Sequence, residues 1–173
     1  DISIDLSNIQ AEDGDITITA SAEDVKILGN STVQTTGTGP IIITGNQNIF
    51  IAKGTIDSGN AIVITGGTNV DITNGELIAV SNIGITAFNG YVAIDPSILQ
   101  AGENIEIQAA TDVDILQSQL TAGEDILITA ITNDVKICGS TLTAGEDTEI
   151  TAGRDIIICS NSTSTSGADV TLN

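Results

Sequence analysis

The sequence contains no histidine, no tryptophan and no methionine, and its only aromatic side chains are Phe50, Phe88 and Tyr91. Without aromatic bulk a wide globular interior is not expected, so any core has to be built from Ile, Val, Leu and Ala across short distances. The missing histidine removes the most common general base, and there is no G-x-S-x-G elbow, no P-loop and no CxxC spacing to suggest hydrolysis, nucleotide binding or a metal centre. Basic residues are nearly as scarce. Lys26, Lys53, Lys136 and Arg154 face 23 acidic residues, for a net charge of −19. Nucleic acid and anionic lipid would be repelled, because both are held by clustered Lys and Arg. Such acidity reads first as a device for solubility and against self-association.

Long apolar runs are also absent. Nothing approaches the roughly 18 consecutive apolar residues of a membrane span, so no membrane insertion is expected, and no segment resembles a signal peptide. The chain opens at Asp1 without Met, which reads as a processed product or an excised fragment. What is present is a 40% apolar content, and its regular spacing excludes disorder.

That regularity is a repeat. Apolar-x-Ile triplets recur at Ile2-Ser-Ile4, Val25-Lys-Ile27, Ile49-Phe-Ile51, Val70-Asp-Ile72, Val92-Ala-Ile94, Val113-Asp-Ile115, Val135-Lys-Ile137 and Ile156-Ile-Ile158, at intervals of 21 to 24 residues. A second apolar position follows near Ile9, Val33, Ile56, Leu77, Leu99, Leu120 and Leu142. A third group runs Ile16/Ile18, Ile41/Ile43, Ile62/Ile64, Ile83/Ile85, Ile105/Ile107, Ile126/Ile128, Thr148/Ile150 and Val170/Leu172. Alternation at i, i+2 with β-branched residues marks strands with one buried face, and the i, i+3, i+4 spacing of a helix is missing. Strands this short are unstable alone, but stacking identical coils pairs each with its copy about 4.8 Å away. The expected fold is therefore all-β: a right-handed parallel β-helix, a three-strand β-solenoid of about eight coils of 21–24 residues. Residues 1–173 form one such domain, roughly 38 Å tall at that spacing and uncapped at both ends.

Turn chemistry agrees. Asp1, Asp24, Asn48, Asn69, Tyr91, Asp112, Asp134 or Asp155 precedes the first strand, and Asp15, Pro40, Ala61, Asn82, Asn104, Asp125, Asp147 or Asp169 precedes the third. Asp and Asn bond nearby backbone amides and tolerate tight turns.

The stretches STLTAGEDTEITAGRDI from Ser140 to Ile156 and QLTAGEDILITA from Gln119 to Ala130 resemble the repeats of filamentous haemagglutinin and of contact-dependent inhibition exoproteins. The match is close over residues 92–159 and looser before. The resemblance implies the shaft of a secreted bacterial adhesin or toxin carrier, a right-handed β-helix, although neither the secretion domain nor the toxin domain of those proteins is visible. It is specific for architecture and says little about function, since a shaft carries whatever is attached to it.

Four features could carry chemistry. Thr19, Thr44, Thr65, Thr86, Thr129 and Thr151 end the third strands, interrupted by Gln108, and form a candidate surface-binding ladder of the kind an ice-binding protein needs. Ice binding calls for two ranks, and the neighbouring column, Thr17, Ile42, Val63, Gly84, Glu106, Leu127, Glu149 and Thr171, is broken by charge and bulk. Thr also simply suits a stacked strand. Asp71 and Asp114 share an outward column two coils apart with Ala93 between, the only pairing that suggests a polysaccharide-active enzyme, and no basic cluster accompanies it. Ca²⁺ at the Asp/Asn corners is conceivable from the oxygen-rich columns, but the short calcium-binding repeat is absent, and turn-making explains the corners without it; no cofactor is expected. Cys138 and Cys159, one coil apart at equivalent positions, fit either a disulfide or a packed reduced pair.

The ends complete the reading. The chain enters at the corner before a first strand and leaves in a third strand, so either it is a length cut from a longer shaft or its subunits stack head to tail. The expected function is an extracellular or cell-surface structural solenoid, not an enzyme. Its expected partners are itself, through the end coils, and host-cell or matrix glycans.

Overall fold

The computed structural model describes all residues 1–173 and contains 24 strands and no helix. They form three sheets of eight parallel strands, and within each sheet every strand lies beside its counterpart from the next coil. The first coil consists of Ile2–Asp5, Asn8–Ala11 and Ile16–Ala20. These pair in register with the second coil: Ile2 with Val25 and Ile4 with Ile27, Ile9 with Val33, Ile16 with Ile41 and Ile18 with Ile43. Register does not slip at any later coil, because a one-residue shift would turn each buried Ile outward.

Inward side chains from the three sheets make one continuous apolar core of 40 residues along the axis. Its columns are uniform: Ile27, Ile51, Ile72, Ile94 and Ile115 in the first sheet and Ile43, Ile64, Ile85, Ile107 and Ile128 in the third are all 0–1% exposed. A column of one residue type packs against itself in a single rotamer, so close packing needs no aromatic filler. No coil has a core of its own.

The corner between the first and second sheets is turned by residues with positive φ, namely Leu6, Gly29 with Asn30, Lys53, Asn74, Gln117, Gly139 and Asn161. Asn is at home there, but Leu6, Lys53 and Gln117 occupy a conformation that such side chains rarely adopt. The residue that follows points inward and is small: Ser31, Gly54, Gly75, Ser97, Ser118 or Ser140. A Cβ added at Gly75 would press on Ile72 Cγ2.

The serines are buried and fully used. The Ser97 N–H donates to Ser118 Oγ at 3.0 Å, and the Ser118 N–H donates to Ser140 Oγ at 3.1 Å. Ser118 Oγ donates in turn to the Ile94 carbonyl at 3.1 Å, and Ser140 Oγ to that of Ile115 at 3.0 Å. In the fifth coil Pro96 holds the corner position and has no N–H to give. Pairing of Val92–Asp95 with the next coil stops at Ile94–Ile115, and the Leu116 carbonyl lies 2.7 Å from Ser118 Oγ, whose one proton is shared between it and the Ile94 carbonyl.

Candidate functional site

The Asp/Asn corners are backbone-capping ladders. Where the third sheet turns into the first, Asp24 Oδ1 accepts the Asn48 N–H at 3.0 Å, Asn69 Oδ1 that of Tyr91 at 3.1 Å and Asp134 Oδ1 that of Asp155 at 3.2 Å. Where the second turns into the third, Asn82, Asn104, Asp125 and Asp147 accept the N–H of Asn104, Asp125, Asp147 and Asp169 at 2.9–3.0 Å. Each side chain supplies the acceptor that the bend denies to the residue one coil on. One oxygen of each of these corner groups is thereby committed, and no three acidic or sulfur side chains converge on a point.

Two of the four cations pair with these columns. Arg154 grips Asp134 with Nε at 2.8 Å and Nη2 at 2.6 Å, and this bidentate hydrogen bond holds the Asp134 carboxyl below its ordinary range. Lys26 lies 2.8 Å from Asp1 and 3.3 Å from Asp24. Partial burial pushes the Asp24 carboxyl up, but hydrogen bonds from Asn48 and Lys26 outweigh it and leave Asp24 lowered.

On the outer face of the first sheet Asp71 pairs with Ala93, and Ala93 with Asp114, so the two carboxylates stand two coils apart, about 9.6 Å at the usual strand spacing. Burial among neighbouring side chains raises both carboxyls. Tyr91 O–H donates to Asp71 Oδ2 at 3.2 Å, and Lys136 occupies the position beside Asp114. Neither carboxylate is in a salt bridge, although the charge of Lys136 partly offsets the effect of burial on Asp114.

The threonine column is in register throughout: Thr19 beside Thr44, Thr44 beside Thr65, Thr65 beside Thr86, Gln108 beside Thr129 and Thr129 beside Thr151. Its neighbouring outward column runs Thr17, Ile42, Val63, Gly84, Glu106, Leu127 and Glu149 in the same pairings, so a single rank of hydroxyls stands on this sheet. Cys138 and Cys159 are joined by a disulfide, their Cα atoms 4.6 Å apart, which ties the last coil to the one before it.

Two features escape a reading by strand periodicity. One is the buried serine column of Ser31, Ser97, Ser118 and Ser140 ahead of the second strands, with Gly54 and Gly75 taking the same place in the third and fourth coils. The other is a groove of about 620 Å³ that follows the first corner across four coils, lined by Asn74, Glu76, Ile98, Gln117, Gln119 and Thr141 among others. The positive-φ corner cuts this concavity. Sequence spacing places the residues in columns but does not say that the surface between the columns is hollow.

Three in-register parallel sheets with side-chain ladders at the corners define a parallel β-solenoid. Residues 116–171 match the family model described as a hemagglutinin repeat, so the carboxy-terminal third of the chain carries that repeat. Proteins with it are typically secreted or surface-exposed, and the repeat is typically non-enzymatic. The segments Gln119–Ala130 and Ser140–Ile156 lie within the match. No curated protein matches the chain. No solved structure matches it either.

Proposed function

We propose that this chain is a length of extracellular, adhesin-type shaft: a stiff scaffold that sets distance and presents surface, without catalytic chemistry of its own. The observation that carries the reading is the unbroken register of all three sheets together with the hemagglutinin repeat at 116–171. Coils that share one core and pair strand to strand along the axis resist bending against their neighbours, which is what a load-bearing rod requires. Asp71 and Asp114 act here as surface carboxylates, so Asp71→Ala and Asp114→Ala leave the shaft's behaviour intact.

The strand edges of the first and last coils can accept a further coil, whether from a continuing chain or from a second copy. In the second case copies stack head to tail as an open, non-closing assembly. Two measurements test the proposal. Antibody or protease labelling of intact cells should reach the chain, and labelling only after lysis would overturn the extracellular reading. Negative-stain images of the purified chain should show rods whose length grows with concentration. Rods of one subunit's height at every concentration would overturn head-to-tail stacking.

A further inference from the structure

We propose that the groove along the first corner is a subsite for a neutral polysaccharide lying parallel to the solenoid axis. This deepens the adhesin-shaft reading and rests on it for its biological setting.

The groove is bounded on one side by the corner residues Asn74, Pro96, Gln117 and Gly139 and on the other by Glu76, Ile98, Gln119 and Thr141, the first residues of successive second-sheet strands. Its floor is Gly75, Ser97 and Ser118, and the two serine hydroxyls are spent on the carbonyls of Ile72 and Ile94. The floor therefore shapes the groove and leaves recognition to the walls.

The wall side chains are free to do it. The side-chain amides of Asn74, Gln117 and Gln119 hydrogen-bond to no protein group, whereas those of Asn48, Asn69 and Asn104 at the other corners are tied into ladders. A side-chain amide offers a donor and an acceptor side by side, the complement of two neighbouring sugar hydroxyls. Thr141 and Glu76 add a hydroxyl and an acceptor. Ile98 is 45% exposed and, with Pro96, supplies an apolar surface for the C–H face of a sugar ring.

Spacing selects the occupant. Wall residues repeat once per coil, about 4.8 Å, whereas an extended peptide repeats every 3.3–3.4 Å or so and would fall out of step within two residues. An extended β-1,4-linked chain of pyranose rings repeats at nearly the coil interval, so successive rings can meet successive walls. Charge selects further. Glu76 lines the groove and no Lys or Arg does; Lys53, the one basic residue of the corner column, lies one coil beyond Asn74. An acidic polysaccharide is disfavoured and a neutral one is not.

Calorimetric and NMR titration of the 173-residue chain with cellohexaose, mannohexaose and chitohexaose tests this, with hexagalacturonate as the acidic comparison. At least one neutral hexaose should bind, with chemical shifts confined to the groove. Gln117→Ala/Gln119→Ala should weaken it at least tenfold with an unchanged melting curve, while Gln100→Ala, on the flat face of the second sheet, should not. No binding of any neutral hexaose at millimolar concentration would overturn the proposal. So would equal binding by the double variant, or hexagalacturonate binding as tightly as the best neutral sugar. Because the titration uses purified chain, its failure is separable from failure of the shaft reading, which cell labelling reports.

Discussion

Reducing the Cys138–Cys159 disulfide should free the last coil and leave the rest of the solenoid as it was. The bond closes a loop across a sequence separation of 21 residues, one full coil. Closing a loop of that length removes about 3 kcal/mol of entropy from the open chain. In a stacked repeat the effect stays local, because each coil contacts only its neighbours. The last coil is also the one most in need of it. Its strands Ile156–Ile158, Thr163–Thr165 and Val170–Leu172 have three residues each, and Ile157, Ile158, Val170 and Leu172 are 42–50% exposed. Hydrogen exchange with and without reductant measures the difference. About 3 kcal/mol corresponds to roughly a hundredfold faster exchange, since 1.4 kcal/mol is tenfold. The acceleration should be confined to residues from about Thr141 onward, and Cys138→Ser/Cys159→Ser should reproduce it. Unchanged exchange there, or a loss of protection reaching the first five coils, would refute the reasoning.

Thr148 fills a core column otherwise made of Ile and Val, is 1% exposed, and its Oγ1 has no hydrogen-bond partner. Thr148→Val should therefore raise stability by about 1–2 kcal/mol in urea unfolding, by removing the desolvation penalty of an unpaired hydroxyl. Ile107→Ala, at the middle of a fully buried column, should cost about 2–5 kcal/mol in the same assay, because its neighbours above and below cannot collapse into the gap without losing register. Burial raises the folded pKa of Asp71, so protonation favours the fold: this contribution is present below the unfolded value and is lost as pH rises through the folded one. Asp71→Asn should accordingly melt higher than the parent at neutral pH, with the gap closing in acid; a gap that widened in acid would contradict the assignment. Asp134 has the opposite sign. Its lowered carboxyl stabilises above the unfolded value, and Asp134→Asn should lose stability at neutral pH but not at low pH, as thermal melts would show.

Much of this fold is legible in the chain because one rule is applied eight times. The Ile triplets and the alternation after them dictate strands, and identical columns can bury their apolar faces only by stacking. The pairing of Asp71 with Ala93 and Asp114, and the unbroken file from Thr19 to Thr86, follow from counting alone. Corner Asp and Asn are equally readable as turn formers. Their bonds are not, since each reaches the backbone of a residue 21 to 24 positions on, as Asp24 does to Asn48 and Asp147 to Asp169.

The sequence by itself determined the period, the three strands per coil, the residue columns and the strongly acidic surface, because all of these are one-dimensional properties that stacking merely copies. Tertiary structure alone decided what lies between the columns. Burial of the serine file, the amides of Asn74, Gln117 and Gln119 left without protein partners, and the hollow they line depend on the positive-φ backbone at the first corner. That conformation follows from how a coil must bend to lie flat on its neighbour. Six of those corner positions are Leu, Asn, Lys or Gln, where no local preference as strong as glycine's marks the turn in advance.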